Sequence, residues 1–588
     1  MLSGVLNALL KPCRRRVIEQ GVTFWRAFLI LWVLVPMGTH MHAIASAANC
    51  ISVESSNGMV VAGHPEAARI GADILASGGN ALDAAVATGF ALSVAEPYGS
   101  GIGGKCAIVY YDAITGKTAY IDGLDEAGEF IDVAAFAALD APLRREGVLG
   151  VGVPGMVAAM DLAHRNWGRL PWKDLITPSV RLAEEGFTVV AGMPVFFERR
   201  LARIESDPEC RRIYLPDGLL PKVGERLRNP DLAWTLEQIA LKGRDGFYDG
   251  KVAALIVDAL RAGGSHLRLE DFRNYQARIS EPLVIEWLEY EIAAGGCPTT
   301  GGATALLTLE VLKALPLDRS VPLRSAQNLS LWAHALRELY PLIQAGLADT
   351  ADYAASWADL TREASISRVR RAVEQSIPSD SLEPVSSGSA ADSWTTHFVV
   401  VDKRGNVASV TQSLSHHFGS GVIAPGTGCV LNNSLKNFSF SDPDAVNYVA
   451  GGKRPRSTIA PAIVLRNGRP VVALGLPGGG RIPTTISSIL LDHLAFGRDL
   501  GEAIADSRFH LLRSWSKEPV SNTFQLEATF DVSIADALDE LGWQVEFIED
   551  TEFFGGVTAV EICDGGILRG WADGRRTNAA MAPEAGNE

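Results

Sequence analysis

From Pro384 to Trp394 the chain reads Pro-Val-Ser-Ser-Gly-Ser-Ala-Ala-Asp-Ser-Trp, small and polar with no hydrophobic period, and it then enters Thr395-Thr396-His397-Phe398-Val399-Val400-Val401. The first stretch has the composition of an exposed linker. Within the second, Phe398–Val401 is a β-rich run, followed by the turn residues Asp402-Lys403-Arg404-Gly405-Asn406 and a second apolar run from Val407 to Leu414. Two such runs around a Gly/Asn turn predict a hairpin. A threonine is thus set where an accessible segment meets a buried strand. A Thr hydroxyl is a weak nucleophile that needs a base beside it. If the chain were cut before Thr395, the new α-amine, titrating near ~8, would be that base. The β-methyl restricts χ1 and keeps the hydroxyl aimed. Thr-Thr before an apolar strand is also ordinary sheet sequence, so the reading needs support from elsewhere in the chain.

That support comes from Ser409-Val410-Thr411-Gln412-Ser413, from Leu431-Asn432-Asn433-Ser434-Leu435-Lys436-Asn437-Phe438, from Lys453-Arg454-Pro455-Arg456-Ser457-Thr458, and from Leu476-Pro477-Gly478-Gly479-Gly480-Arg481. In this order the chain resembles the γ-glutamyltransferase (glutathione hydrolase) family of N-terminal-nucleophile hydrolases, from about Gly58 to its end. The resemblance implies a four-layer αββα sandwich, self-cleavage between Trp394 and Thr395, and no cofactor or metal. It implies a large subunit over residues 48–394 and a small catalytic one over 395–588, intertwined in one body. Thr395 would be the nucleophile. Ser413 would be the second hydroxyl beside its amine, and Gly478 and Gly479 the backbone donors of an oxyanion hole. Substrate would meet Ser415, Asn433, Ser434, Asn437, Ser457 and Thr458, and the partners would be a small amide and an acceptor, water or an amine.

Several positions depart from the family pattern. Two residues after Asp122 an arginine usually clamps the α-carboxylate of the glutamyl group, and here stands Leu124. Ser434 stands where Gln is usual in one branch, Ser415 replaces a common Asn, and Asn437 replaces an Asp that holds the ammonium. Asn437 therefore loses a charge-assisted bond worth roughly 1–2 kcal/mol. Lys436 adds a cation that would repel an ammonium, unless it points to solvent. Two chemistries follow: a γ-glutamyl hydrolase or transferase acting on glutathione-like amides, or a relative taking a non-glutamyl acid, as the cephalosporin-acylase branch takes glutaryl groups and other members take amides of small acids. A non-catalytic exported binding protein is disfavoured, because Thr395, Ser413, Gly478 and Gly479 are all retained. The connection Ser439 to Gly452 is shorter than in many relatives and is expected to leave the pocket open.

Outside the motifs, a net charge of −15 and basic residues that gather only near the N-terminus exclude nucleic-acid binding. Lys11 and Arg14-Arg15-Arg16, the apolar Ala27–Met37 and the small residues Ala43 to Ala48 form a signal-peptide pattern over residues 1–47. They predict export to the periplasm or medium, with an uncleaved membrane anchor as the alternative. Seven cysteines show no metal spacing and no fixed pairing. The Gly-rich run Pro97–Lys105 lacks the ending of a phosphate loop and instead predicts close backbone approach. Locally, the pattern gives a strand at Gly58–Ala62, a helix from Pro65 to Ser77 ended by Gly78-Gly79-Asn80, a buried helix over Ala81–Val94, a hairpin Cys106–Tyr111/Lys117–Ile121, and a helix capped by Asn229.

Overall fold

The computed structural model describes residues 50–376, 393–512 and 522–584. The signal pattern at residues 1–47, Cys13 included, and the polar run up to Asp392 lie outside the described residues. Two seven-stranded antiparallel sheets carry the molecule. Edge to edge, the first contains Cys50–Ser55, Leu568–Asp573, Thr558–Ile562, Arg469–Gly475, Ala462–Arg466, Tyr290–Ala294 and Leu283–Trp287. The second contains Ala579–Met581, Gly58–Ala62, Ser393–Asp402, Val407–His416, Lys105–Asp112, Lys117–Gly123 and Arg278–Ser280.

Successive side chains of a strand face opposite ways, and here both faces are covered. Val61, Val109, Val399 and Val401 of the second sheet meet Ala293, Ile463, Ala473 and Val560 of the first in an inter-sheet core. The alternate residues Val60, Ile108, Val400 and Val410 pack instead with the helices Ala81–Ala95, Met156–Trp167 and Trp172–Glu185. On the far side, Val464, Leu474 and Ala559 pack with the helices Gly301–Ala314, Ala326–Gly346 and Arg481–Leu494. The layers are helix, sheet, sheet, helix, as the resemblance implies. Burial on two sides is why Phe398–Val401 reads as unbroken apolar sequence.

The local expectations fare well, with two shifts. Gly78, at φ +90°, supplies the left-handed turn after the helix Pro65–Ala76, but Asn80 belongs to the next helix. Its side chain accepts from the Leu82 and Asp83 N–H groups, while Asp83 bonds back to the Asn80 N–H, a capping box. The strand expected from Phe398 begins at Ser393, because Thr396 and His397 also pair across to the Val407–His416 strand. Both sheets mix strands from before and after Thr395.

Candidate active site

Thr395 is 5 % exposed, at the start of its strand. Opposite it the pairing is irregular. Trp394 is in register with Ser415 and Thr396 with Gln412, so Ser413 and Leu414 together face the single residue Thr395. A bulge of this kind re-aims side chains and is common beside reactive centres. Ser415, at φ +79°, lies in the bend. Here the bulge sets the Thr395 and Ser413 hydroxyls 3.2 Å apart. The Ser413 hydroxyl donates to the Trp394 carbonyl oxygen at 2.7 Å and accepts from the Ser415 N–H at 2.9 Å and from Thr395. All of its hydrogen-bonding capacity is used, and it polarises the carbonyl of the peptide bond that precedes Thr395.

The glycine run supports this from behind. A Cβ on Gly104 would lie 2.4 Å from the Ser413 carbonyl oxygen, and one on Gly103 would lie 2.2 Å from that of Val430. No side chain fits, so the expected close approach is to the Val407–His416 strand and to the chain at Val430. His397 bonds to other hydroxyls. Its Nδ1 pairs with the Thr411 hydroxyl at 2.8 Å and its Nε2 with the Ser409 hydroxyl at 3.3 Å. Burial pushes its pKa down to about 3, which keeps the ring neutral. Thr396 bonds to buried Glu96, whose carboxyl is raised by the same burial.

A cavity of about 480 Å³ opens onto Thr395. It brings together Thr395, Ser413, Ser415, Asn437, Ser457, Thr458 and Gly479 of the residues named from sequence. Four others lie elsewhere. Gly478, at φ +143°, is off the lining, and the pair of glycines that reaches it is Gly479 and Gly480. Gly480 caps the helix Arg481–Leu494, so the positive end of a helix dipole is at the cavity wall. Asn433 is fully buried, with its amide spent on the His416 N–H at 3.2 Å and the Arg145 carbonyl. It positions the wall and does not line it. Leu124 is buried in the inter-sheet core, where its carbonyl accepts from the Tyr275 hydroxyl at 2.7 Å.

Ser434 stands one layer behind the lining, in a buried network. Lys105 Nζ donates to the hydroxyls of Ser415 and of Ser434, the latter at 2.7 Å, and lies 3.8 Å from the Asp125 carboxylate, which also accepts from Ser434. Burial pushes the Asp125 carboxyl up to about 7, against the opposing pull of Lys105, and pushes the Lys105 ammonium down. Lys436 lines the cavity, against the alternative that it points to solvent. The segment between Ser439 and Gly452, expected to leave the pocket open, contributes Ser439, Phe440, Ser441 and Asn447 to its lining. Among the described residues no group of three or more His, Cys, Asp or Glu side chains could hold a metal ion, and the six described cysteines are free thiols.

The sequence profile described as γ-glutamyltranspeptidase matches residues 67–583. The chain belongs to the γ-glutamyltranspeptidase family. It is 32 % identical over 563 residues to the glutathione hydrolase proenzyme of Bacillus subtilis (strain 168), covering 89 % of this chain and 91 % of that protein. It is also 32 % identical over 546 residues to the acylase ACY 1 proenzyme of Pseudomonas sp. (strain SE83), covering 90 % and 94 %. The crystal structure of cephalosporin acylase from Bacillus halodurans is similar at a TM-score of 0.82 and 27 % identity, covering 91 % of this chain and 97 % of that one. The chain is an enzyme of the N-terminal-nucleophile hydrolase class, an amidohydrolase or acyltransferase at the level the family fixes.

Against the γ-glutamyltranspeptidase pattern, the largest feature that sequence reasoning missed is the charge of the wall. Lys105, Arg144, Arg145, Lys436, Arg456 and Arg481 all line the cavity, and no Asp or Glu is among its described lining residues. One signal was available. Lys105 opens a strand whose next six residues are all buried, and a lysine is rarely buried without a task. Arg144 and Arg145 stand in a short helix, Ala141–Arg145, with no motif around it.

Proposed function

We propose that the chain cuts itself before Thr395, and that the resulting N-terminal threonine hydrolyses amides of an acyl group that carries a carboxylate but no α-amine, of the glutaryl type. The observation that carries this reading is the cavity lining, six cationic side chains with no carboxylate among the described lining residues. Such a wall favours an anionic acyl group and disfavours the ammonium of a glutamyl head. Asn437, in place of an aspartate that would hold an ammonium, points the same way. So does the likeness to an acylase proenzyme over nearly its whole length.

In turnover the Thr395 hydroxyl adds to the substrate carbonyl carbon while its own α-amine takes the proton. Backbone N–H groups of the Gly478–Gly480 run, beside the helix N-terminus, would receive the oxyanion. The amine returns the proton to the departing nitrogen, and water then opens the ester. The Ser413 hydroxyl holds the amine and hydroxyl of Thr395 in place.

The deciding experiment is hydrolysis of glutaryl- against γ-glutamyl-p-nitroanilide by the cut enzyme. These differ only by the α-amino group, since the carboxylate ends the same five-carbon chain in both. The expected result is a kcat/KM at least about tenfold higher for the glutaryl compound, a difference of roughly 1.4 kcal/mol. Equal or faster turnover of the γ-glutamyl compound would return the chain to glutathione-like substrates.

A further inference from the structure

Trp394, whose carbonyl Thr395 would attack, is 4 % exposed and enclosed by rings and guanidinium groups. Its ring centroid is 3.5 Å from that of His417 and 4.6 Å from that of Phe196. The Arg576 guanidinium carbon stands 3.6 Å from its centre, with Arg199 farther out at 5.6 Å. Stacking and cation–π contacts of this kind fix a ring's position and orientation. The cage comes from three distant parts of the chain: the short helix Pro194–Glu198, the turn after the Val407–His416 strand, and the segment after Leu568–Asp573.

None of Phe196, His417 and Arg576 lines the cavity that holds Thr395. Their convergence is therefore not explained by recognition of a substrate there. The residue on the other side of Thr395 is also fixed, through the bond from Thr396 to Glu96. Burial and the nearby Arg576 keep the His417 imidazole neutral, so the stack on Trp394 does not depend on its titration. The reacting bond is gripped at both ends, with the Trp394 carbonyl oxygen left 2.7 Å from the Ser413 hydroxyl. Holding reactants in attack geometry is among the largest sources of rate.

We propose that Phe196, His417 and Arg576 form a processing clamp, positioning residues that hold the Trp394 carbonyl for self-cleavage and take no part in turnover by the cut enzyme. This rests on the reading that the chain cuts itself between Trp394 and Thr395. In the step concerned, Thr395 Oγ bonds to the Trp394 carbonyl carbon and its proton passes to the Thr395 nitrogen. The carbon–nitrogen bond then breaks, leaving Trp394 as an ester on Oγ. Water hydrolyses that ester to the Trp394 carboxylate and the free Thr395 hydroxyl. No net oxidation occurs, and water is the sole co-reactant.

The test follows cutting of freshly synthesised full-length protein by intact mass in wild type, Trp394→Ala, Trp394→Phe and Arg576→Met, with Thr395→Ala as the uncut reference. Anilide turnover is normalised to the amount of cut chain. We expect Trp394→Ala and Arg576→Met to be cut at least about tenfold more slowly, and Trp394→Phe, which keeps a ring in the cage, within about threefold of wild type. Turnover per cut chain should be the same in all three. Wild-type cutting of Trp394→Ala, or loss of turnover per cut chain in that variant, would overturn the clamp while leaving self-cleavage standing. A wild-type chain that is never cut would remove both. Should Arg576→Met fail to fold, the contrast between the Ala and Phe variants at Trp394 decides alone.

Discussion

The arginines buried behind the C-terminal strand and the basic side chains around the Thr395 cavity are balanced in different ways. Behind the strand, Arg575 bonds Glu527 through Nε at 2.7 Å and Nη2 at 2.8 Å and reaches Asp573 at 3.3 Å. Arg508 shares Asp573 at 2.9 Å, and Arg324 pairs with Asp492 at 2.6 Å. Around the cavity, Arg144 rests on the carbonyl oxygens of Ala137 and Leu139, and Arg456 on those of Leu347 and Gln344 and on the Gln344 amide. For Arg144 the acceptors are uncharged, and they fix its guanidinium without cancelling its charge. In the first region the charge is met inside the protein and serves the fold. In the second the donors are held while the field extends into the cavity, where an anion can use it. Charge counts alone would have scored the two regions alike.

The comparison can be broken first on stability. Arg575→Met should lose about 3–5 kcal/mol in denaturant unfolding, because Glu527 and Asp573 would be left buried with less compensation. A loss under about 1 kcal/mol would show that the buried cluster is not held by its ion pairs. Arg144→Met should do the opposite, lowering kcat/KM for the glutaryl anilide about 10- to 100-fold, as expected for a lost charge-assisted hydrogen bond. Its unfolding free energy should shift by less than about 1 kcal/mol, as for a partly exposed side chain. If stability falls and activity does not, Arg144 belongs with the first region.

A finer test uses pH. The Asp125 carboxyl is pushed up to about 7 by burial, from an ordinary value near 4, so the folded state holds the extra proton between those limits. Its contribution to stability is complete below the lower value and is lost as pH rises through the upper one. Deprotonation also adds a negative charge beside Lys105, whose own ammonium is lowered by burial. That added negative charge weakens the cationic wall. KM for the glutaryl anilide should therefore rise about three- to tenfold as pH passes from 6 to 8, and Asp125→Asn should flatten the rise. A KM that falls over that range would mean that the Lys105 network does not reach the acyl group.

What the sequence revealed divides along the same line. The hairpin around Asp402–Asn406, the wholly buried helix Ala81–Ala95 and the Asn229 cap all rest on local periodicity or on a capping residue beside the helix it serves. Thr395, Ser413 and Gly479, which meet at one cavity, were legible because each sits within a short contiguous motif. The wall was not. Lys105, Arg144 and Arg456 come from a strand end, a short surface helix and a loop, and only the folded topology brings them to one cavity. Asn433 shows the converse, since its motif neighbours Lys436 and Asn437 line the site while its own amide is used by backbone groups, and Leu124 is taken up by the core. The positions beside Thr395 were misjudged for another reason. A polar approach reads as linker, but the rings that bury Trp394 lie elsewhere in the chain.

The mixing of strands in both sheets bears on how the enzyme would come apart. The strand Gly58–Ala62 lies between Ser393–Asp402 and Ala579–Met581, and Lys105–Asp112 lies against Val407–His416. A break before Thr395 would leave all those ladders in place, so the two pieces could not separate as folded bodies. Dissociation and unfolding would become a single event. The thermal midpoint of the cut enzyme would then depend on its concentration, which that of the uncut chain would not.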